Sequence, residues 1–307
     1  MLVDTLERLA PVAPAERTLV LTNASLTDAV RRAAPWLPAS NVIAEPQPAG
    51  TAAALAWAAH EVARRASPDA PIVSVHADWA IGDVAAFRTA LVAASDAAVA
   101  HRSLVTVGIV PTHPDPSLGH IVPGDVVAGA LRRVTRFVEK PERTRAVELT
   151  EAGALWNSGI FAWRAGDLLE EVAARCPEVA PALAAHPDDA AAFFASVRPI
   201  AIDVGVLERS DRVMVLPGSF GWSDVGTWAA LRAVRARDAD GNAPAGRVYL
   251  RDSRGTVVHA EGPAVVCYGV EDLVIVALDD LTLVTTMDRA ADLKTLLASL
   301  PESVRAR

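Results

Sequence analysis

Cysteine is nearly absent from this sequence. Two residues in 307, Cys176 and Cys267, stand far apart, too few for a disulfide scaffold or a cysteine-rich zinc site. Positive charge is also in short supply. Lys and Arg number 29 against 37 Asp and Glu, giving a net charge of −8 and a pI near 5.4. That balance excludes the basic footprint of a nucleic-acid binder. An acidic chain still binds nucleotides, because phosphate sites use metal, a few local cations and backbone N–H groups. Long apolar runs are missing too. Mean hydropathy is +0.26, much of it from Ala and Val, but no run approaches the ~20 residues of a membrane helix. The richest stretch, 264–278, is broken by Glu271 and Asp272. The start carries Asp4, Glu7 and Arg8 without the apolar core of a signal peptide. A cytoplasmic protein with neither nucleic acid nor membrane as partner is expected.

Several common chemistries are missing as well. No G-x-G-x-x-G follows a strand, no G-x-x-x-x-G-K-[ST] occurs, and there is no G-x-S-x-G elbow. The seven histidines show no H-E-x-x-H spacing. What remains for chemistry is Asp, Glu, Lys and Asn in loops.

Short β-branched runs alternate with Ala-rich amphipathic stretches over the first 110 residues. Strands are expected at 18–22, 41–44, 71–76 and 103–110, with helices at 26–34, 51–66 and 83–99. Such alternation predicts a largely parallel sheet covered on both faces. The middle is more mixed, with strands at 132–138 and 160–163 and helices at 167–175, 179–185 and 188–196. After about residue 237 the composition shifts. Residues 238–242 read as a turn-rich linker, followed by short strands at 248–250, 256–259, 264–268, 273–278 and 282–285 and a helix at 290–300. The expected division is 1–240 and 241–307, the second part small and β-rich. No internal repeat is exact, though the turn spacing suits a β-solenoid fragment.

Five segments stand out. His76-Ala-Asp78-Trp79-Ala-Ile81 follows the apolar strand at 71–75. An acid just past the C-terminal end of a parallel strand sits where open α/β sheets bind ligands, and it can hold Mg²⁺ against phosphates. Asp78 can equally be a helix N-cap, a role Asp83 could also fill. Phe137-Val-Glu139-Lys140-Pro141 brings an acid and a cation to a strand end, for a ligand or for solvent. Neighbours on a strand point to opposite faces, so these two would not pair simply. Trp156-Asn157-Ser158-Gly159-Ile160 is a polar step between bulky residues, either an ordinary turn or an amide placed for a sugar hydroxyl. Ile202-Asp203-Val204-Gly205 sets an acid inside an apolar run. Gly221-Trp222-Ser223-Asp224-Val225-Gly226 sets one between glycines and tryptophans, where Asp224 could also cap a helix starting near Trp228.

The order and spacing of these segments resemble the mannose-1-phosphate guanylyltransferase family. Its members carry E-P-x-x-x-N-T-A, D-H-x-I, G-I-x-P-T-x-P, G-Y-G-x-I, F-x-E-K-P, W-N-S-G-I-F, I-D-x-x-V-x-E and G-W-S-D-V-G-S-W. This sequence has Glu45-Pro46 with Thr51-Ala52, Asp78 to Ile81, Gly108-Ile109-Val110-Pro111-Thr112-His113-Pro114 and Leu118-Gly119-His120-Ile121, then the four later segments. The resemblance runs from about residue 1 to 300. It implies an α/β fold: a Rossmann-like nucleotidyltransferase sheet with helices on both faces, plus the small β-rich C-terminal domain. It implies GDP-mannose formation from GTP and mannose 1-phosphate, with Mg²⁺ on Asp78 and Asp224. Asp78, Asp224 and Lys140 would be catalytic, Lys140 near the sugar phosphate. Glu139, Asn157 and Asp203 would meet the sugar, over Gly119. Glu45, Gly50, Thr51 and Ala52 would line the base pocket. A homodimer is compatible with it.

Three departures matter. Arg-Asn before the Thr of the base segment is Ala49-Gly50 here, which leaves another base or hexose as the alternative, alongside a non-catalytic sugar-nucleotide binder. The His after the metal Asp is Trp79. The family's opening strand and loop, G-G-x-G-T-R-L-x-P-L-S with P-K, has no counterpart in this sequence, whose first nine residues match the helix that comes next. That loop wraps the triphosphate with backbone N–H groups and supplies an Arg and a Lys. Turnover by the chain as written is therefore expected to be nearly nil, and a misplaced start, a fragment or a decayed gene is the expected reason. The corresponding strand would be central, so its neighbours should lack a ladder partner.

Overall fold

A computed structural model describes residues 1–305. The chain forms two compact units that divide between Trp222 and Ser223, earlier than the expected break at 240. The reason is local. The helix Trp228–Val234 is tied to the C-terminal strands: Arg232 donates to Gly255 O at 2.8 Å and meets Asp272 at 3.1 Å, and Arg235 reaches His259 Nδ1 at 3.2 Å.

The first unit is built on six strands in the order Pro71–Ser74, Leu155–Arg164, Leu104–Ile109, Val213–Gly218, Leu131–Val138, His120–Ala128. The sheet is mixed rather than largely parallel. Leu104–Ile109 and Val213–Gly218 run parallel, whereas Leu155–Arg164 is antiparallel to both its neighbours and Leu131–Val138 is antiparallel to Val213–Gly218. The regular strand–helix alternation stops at residue 110. The hairpin 120–138 then reverses the chain, and Leu155–Arg164 returns between two strands that point the other way.

Both faces of the sheet are covered, as period-2 alternation requires. On Leu155–Arg164, Phe161 and Trp163 pack with the helices Gly50–Arg65, Ala165–Arg175 and Ala190–Ser196, while Ile160 and Ala162 pack with the helix Val84–His101. The four side chains are at most 2% exposed. Burying a large apolar side chain contributes about 1.5–3 kcal/mol, so this strand anchors both layers. Asp83 caps the helix Val84–His101, accepting from Ala86 N at 2.9 Å, and Asp189 caps Ala190–Ser196, accepting from Ala192 N at 3.0 Å.

A separate parallel pair, Val20–Asn23 with Val42–Glu45, stands outside the six-stranded sheet. Among the described residues, Val20–Asn23 has a ladder partner on one side only, and so has Pro71–Ser74.

The second unit winds as a parallel coil. Ala243–Ala245, Val257–Ala260 and Leu273–Ala277 stack in parallel, and Val248–Arg251 pairs with Val265–Tyr268. Val265 lies over Val248, Val274 over Val257 and Glu271 over Arg254, a step of 17 residues per turn. Val258, Cys267 and Ile275 fill the interior. Thr282–Thr286 closes the stack antiparallel to Leu273–Ala277, and the helix Leu293–Ser299 comes next.

Candidate active site

Five of the residues singled out in the sequence come together at one end of the first unit's sheet. Glu139 and Lys140 lie just past the strand Leu131–Val138. Lys140 takes a left-handed φ of 41°. That turn breaks the strand alternation and lets Lys140 Nζ pair with Glu139 Oε1 at 2.8 Å, so the expectation that they would not pair is corrected. The Lys140 ammonium is held above its usual range by the hydrogen bond to Glu139, and Asp203 adds to the effect. Both side chains remain largely exposed and available to a ligand.

Asn157 and Gly159 are not in a turn but inside the strand Leu155–Arg164, where the pairing register shifts at Val107/Gly108. Asn157 donates from Nδ2 to Asp203 Oδ1 at 2.7 Å, and its backbone N–H donates to Gly119 O at 2.8 Å. A Cβ on Gly119 would lie 2.7 Å from Glu139 Oε2 and 3.3 Å from Asn157 Cβ. Gly119, Glu139 and Asn157 are thus immediate neighbours, and only glycine leaves the space between them open. Next to them His120 is fully buried. Burial holds its imidazole below the usual range, and its Nδ1 lies 3.0 Å from Leu118 O, which selects the Nδ1–H tautomer and pins the turn.

Asp203 opens a π-helical turn, Asp203–Leu207, a geometry that recurs at functional sites. The half-buried carboxylate is pushed up mainly by desolvation. The hydrogen bond from Asn157 opposes that, the Glu139 charge adds to it, and His76 counters it. Glu208, at the end of the turn, is likewise pushed up by burial and by the charges of Asp203 and Glu139. Glu208 N donates to Asp203 O at 2.8 Å and His76 Nε2 lies 3.3 Å from where a Cβ on Gly159 would sit, so both stand beside this cluster, although the sequence assigns neither a role. A lone His after a strand and an exposed Glu carry no spacing signal. Only the fold brings them here.

The segment expected to line the base pocket is organised differently at each position. Glu45 ends the strand Val42–Glu45, half-buried, with its carboxyl raised by desolvation. Gly50 opens the helix Gly50–Arg65 at φ +80°, backed against the Ile200 carbonyl. Thr51 Oγ1 accepts from Ile202 N at 2.9 Å and Ala52 N donates to Ile200 O at 3.1 Å. Ala52 is fully buried, so it supports the surface from beneath. The same contacts hold residues 200–202 and hence aim the Asp203 turn.

Asp78 is exposed, two residues past His76, and takes no hydrogen bond or ion pair among the described residues. Asp83, not Asp78, caps the following helix. Among the described residues no three His, Cys, Asp or Glu gather as a ready-made metal cage. A free carboxylate of this kind fits Mg²⁺, which completes its shell with water and phosphate oxygens. Asp224 belongs to the second unit. It is exposed and accepts from Gly226 N at 3.2 Å, while Thr227 caps the next helix by accepting from Ala230 N at 3.1 Å. The capping alternatives for both aspartates are therefore set aside.

Residues 1–241 match the family described as Nucleotidyl transferase. The chain belongs to the nucleotidyl transferase family. Residues 246–300 match the MannoseP isomerase/GMP-like beta-helix domain, in keeping with the parallel coil. Among relatives, the chain is 37% identical over 271 residues to mannose-1-phosphate guanylyltransferase of Escherichia coli (strain K12), covering 83% of this chain and 56% of that protein. It is 33% identical over 277 residues to the alginate biosynthesis protein AlgA of Pseudomonas syringae pv. tomato, covering 86% and 57%. The chain thus spans little more than half the length of these curated relatives. Among solved structures, mannose-1-phosphate geranyltransferase from Thermus thermophilus superposes with a TM-score of 0.86 at 33% identity, covering 97% of this chain and 88% of that one. No helix among the described residues is long and apolar enough to cross a membrane.

Proposed function

We propose that this chain acts in the formation of GDP-mannose and pyrophosphate from GTP and mannose 1-phosphate. The observation that carries the reading is the convergence of Glu139, Lys140, Asn157 and Asp203 around Gly119 in a member of the nucleotidyl transferase family. Relatives at 37% identity named mannose-1-phosphate guanylyltransferase support it.

In this reading the sugar lies over Gly119. Glu139 and the Asn157–Asp203 pair accept from and donate to its hydroxyls, and Lys140 holds its phosphate. A sugar-phosphate oxygen attacks the α-phosphorus of GTP in line. The new P–O bond forms as the bond to the β-phosphate oxygen breaks, and pyrophosphate leaves with the electron pair. No covalent enzyme intermediate is needed. Glu45, Gly50 and Thr51 face the base. Mg²⁺ is the cofactor of this reading: when bound it neutralises charge on the phosphates, Asp78 being the ligand that the first unit offers. Asp224 is a candidate Mg²⁺ ligand within the second unit. A homodimer in the cytoplasm completes the proposal.

Product binding tests it directly. Calorimetric titration in Mg²⁺ buffer should show GDP-mannose binding more tightly than GDP or UDP-glucose. GDP-mannose binding no better than GDP would mean that the cluster does not hold the sugar.

A further inference from the structure

His76 lies two residues past the strand Pro71–Ser74 and is exposed, with no hydrogen-bond partner among the described residues. Its ring is nevertheless fixed. It stacks on the buried Trp79 with centroids 4.9 Å apart and planes 19° from parallel, and Trp79 is itself held edge-on by Trp222 at 6.0 Å. The stacked ring places Nε2 3.3 Å from where a Cβ on Gly159, in the strand Leu155–Arg164, would sit. Gly159 is two residues from Asn157 and donates from its N–H to Asn157 Oδ1 at 3.2 Å, and Asn157 holds Asp203. The oriented imidazole of the exposed His76 therefore stands beside the cluster of Gly119, Glu139, Asn157 and Asp203, on a fifth segment.

The chemistry of the neighbours selects what this nitrogen can meet. Asp203 and Glu139 are acids, so a phosphate oxygen here would be repelled, and Lys140 already offers a cation for it. A hydroxyl is different: it donates and accepts at once. Placed between Nε2 and the carboxylate, it accepts from the one and donates to the other.

We propose that His76 is a specificity-determining residue of the sugar pocket, its Nε2–H donating to a hexose hydroxyl that donates to Asp203. This rests on the sugar-pocket reading above. Trp79 then has a function of its own, as the platform that keeps the imidazole turned toward Gly159.

The test is calorimetric titration of residues 1–307 with mannose 1-phosphate, glucose 1-phosphate and inorganic phosphate, using the wild type, His76→Ala, His76→Gln and Asp203→Asn. His76→Ala should weaken mannose 1-phosphate about tenfold, narrow its margin over glucose 1-phosphate, and leave inorganic phosphate and the melting temperature unchanged. His76→Gln, which keeps a donor, should recover most of the loss. Wild-type affinity in His76→Ala, with Asp203→Asn impaired, would overturn the role of His76 and leave the sugar pocket standing. Equal losses in Ala and Gln together with a lower melting temperature would reduce His76 to packing on Trp79, again against the proposal. Absence of binding by any hexose phosphate to the wild type would overturn both readings.

Discussion

At Gly119 an added Cβ would lie 2.7 Å from Glu139 Oε2 and 3.3 Å from Asn157 Cβ. Gly119→Ala should therefore leave the fold intact, since the nearest atom ends a flexible side chain, and should weaken hexose 1-phosphate binding about tenfold, the effect of one lost hydrogen bond to a charged group. Calorimetry with the melting temperature as control checks both halves. Asp203 works the other way. Its folded carboxyl is raised, mainly by desolvation. Its charged form is thus disfavoured in the fold, and stability is lost as pH rises from the ordinary carboxylate range through the raised value. Asp203→Asn keeps an oxygen for Asn157 Nδ2 and removes that cost. The variant should melt at or above the wild-type temperature at pH 7, lose the advantage as pH falls below the carboxylate range, and bind mannose 1-phosphate poorly. A lower melting temperature at pH 7 would show that burial is not what strains this position.

The elements beneath the site explain how the Asp203 turn is held. Arg209, just after it, meets Glu178 at 2.9 and 3.2 Å and Arg175 O at 2.9 Å. The hydrogen bond from Arg209 leads the causes that lower Glu178 to about 2 from 4.5. A depressed carboxylate contributes stability above its unfolded value and loses it as pH falls. Glu178→Gln should flatten the acid limb of the stability curve between about pH 4.5 and 2; an unchanged limb in acid-titration circular dichroism would deny the link. In the second unit, Ile275 lies 8% exposed in the coil interior, and Ile275→Ala should cost about 2–5 kcal/mol, read from urea unfolding. What is legible in the sequence at this scale depends on where the signals lie. The strand 104–109 is a β-branched apolar run interrupted only by Thr106 and Gly108, and its place is plain. The strand His120–Ala128 carries Pro123, Gly124 and Asp125 with register shifts, so no alternation marks it. Strand direction leaves no local trace, and so the antiparallel return of Leu155–Arg164 cannot be read from residue pattern. The π-helical turn at Asp203 depends on Thr51 and Ala52 about 150 residues earlier, and His76 depends on Gly159. Neither link has a spacing that could announce it.

At the scale of the whole molecule, an acidic chain of net charge −8 is proposed to gather anionic substrates. It does so locally: Lys140 stands beside the acids that meet hydroxyls, and Asp78 stands free for a cation that would offset phosphate charge. Binding of mannose 1-phosphate should accordingly weaken in 0.5 M salt far less than it does in Lys140→Ala at low salt, because one close cation is screened less than a diffuse field. The account's central claim is that Gly119, Glu139, Lys140, Asn157 and Asp203 form one sugar-phosphate pocket. A crystal structure of the chain with mannose 1-phosphate tests it most directly. The account predicts the hexose over Gly119, its hydroxyls within hydrogen-bond distance of Glu139 and the Asn157–Asp203 pair, and its phosphate on Lys140. A sugar bound elsewhere, or Lys140 turned to bulk solvent with the ligand in place, would contradict it.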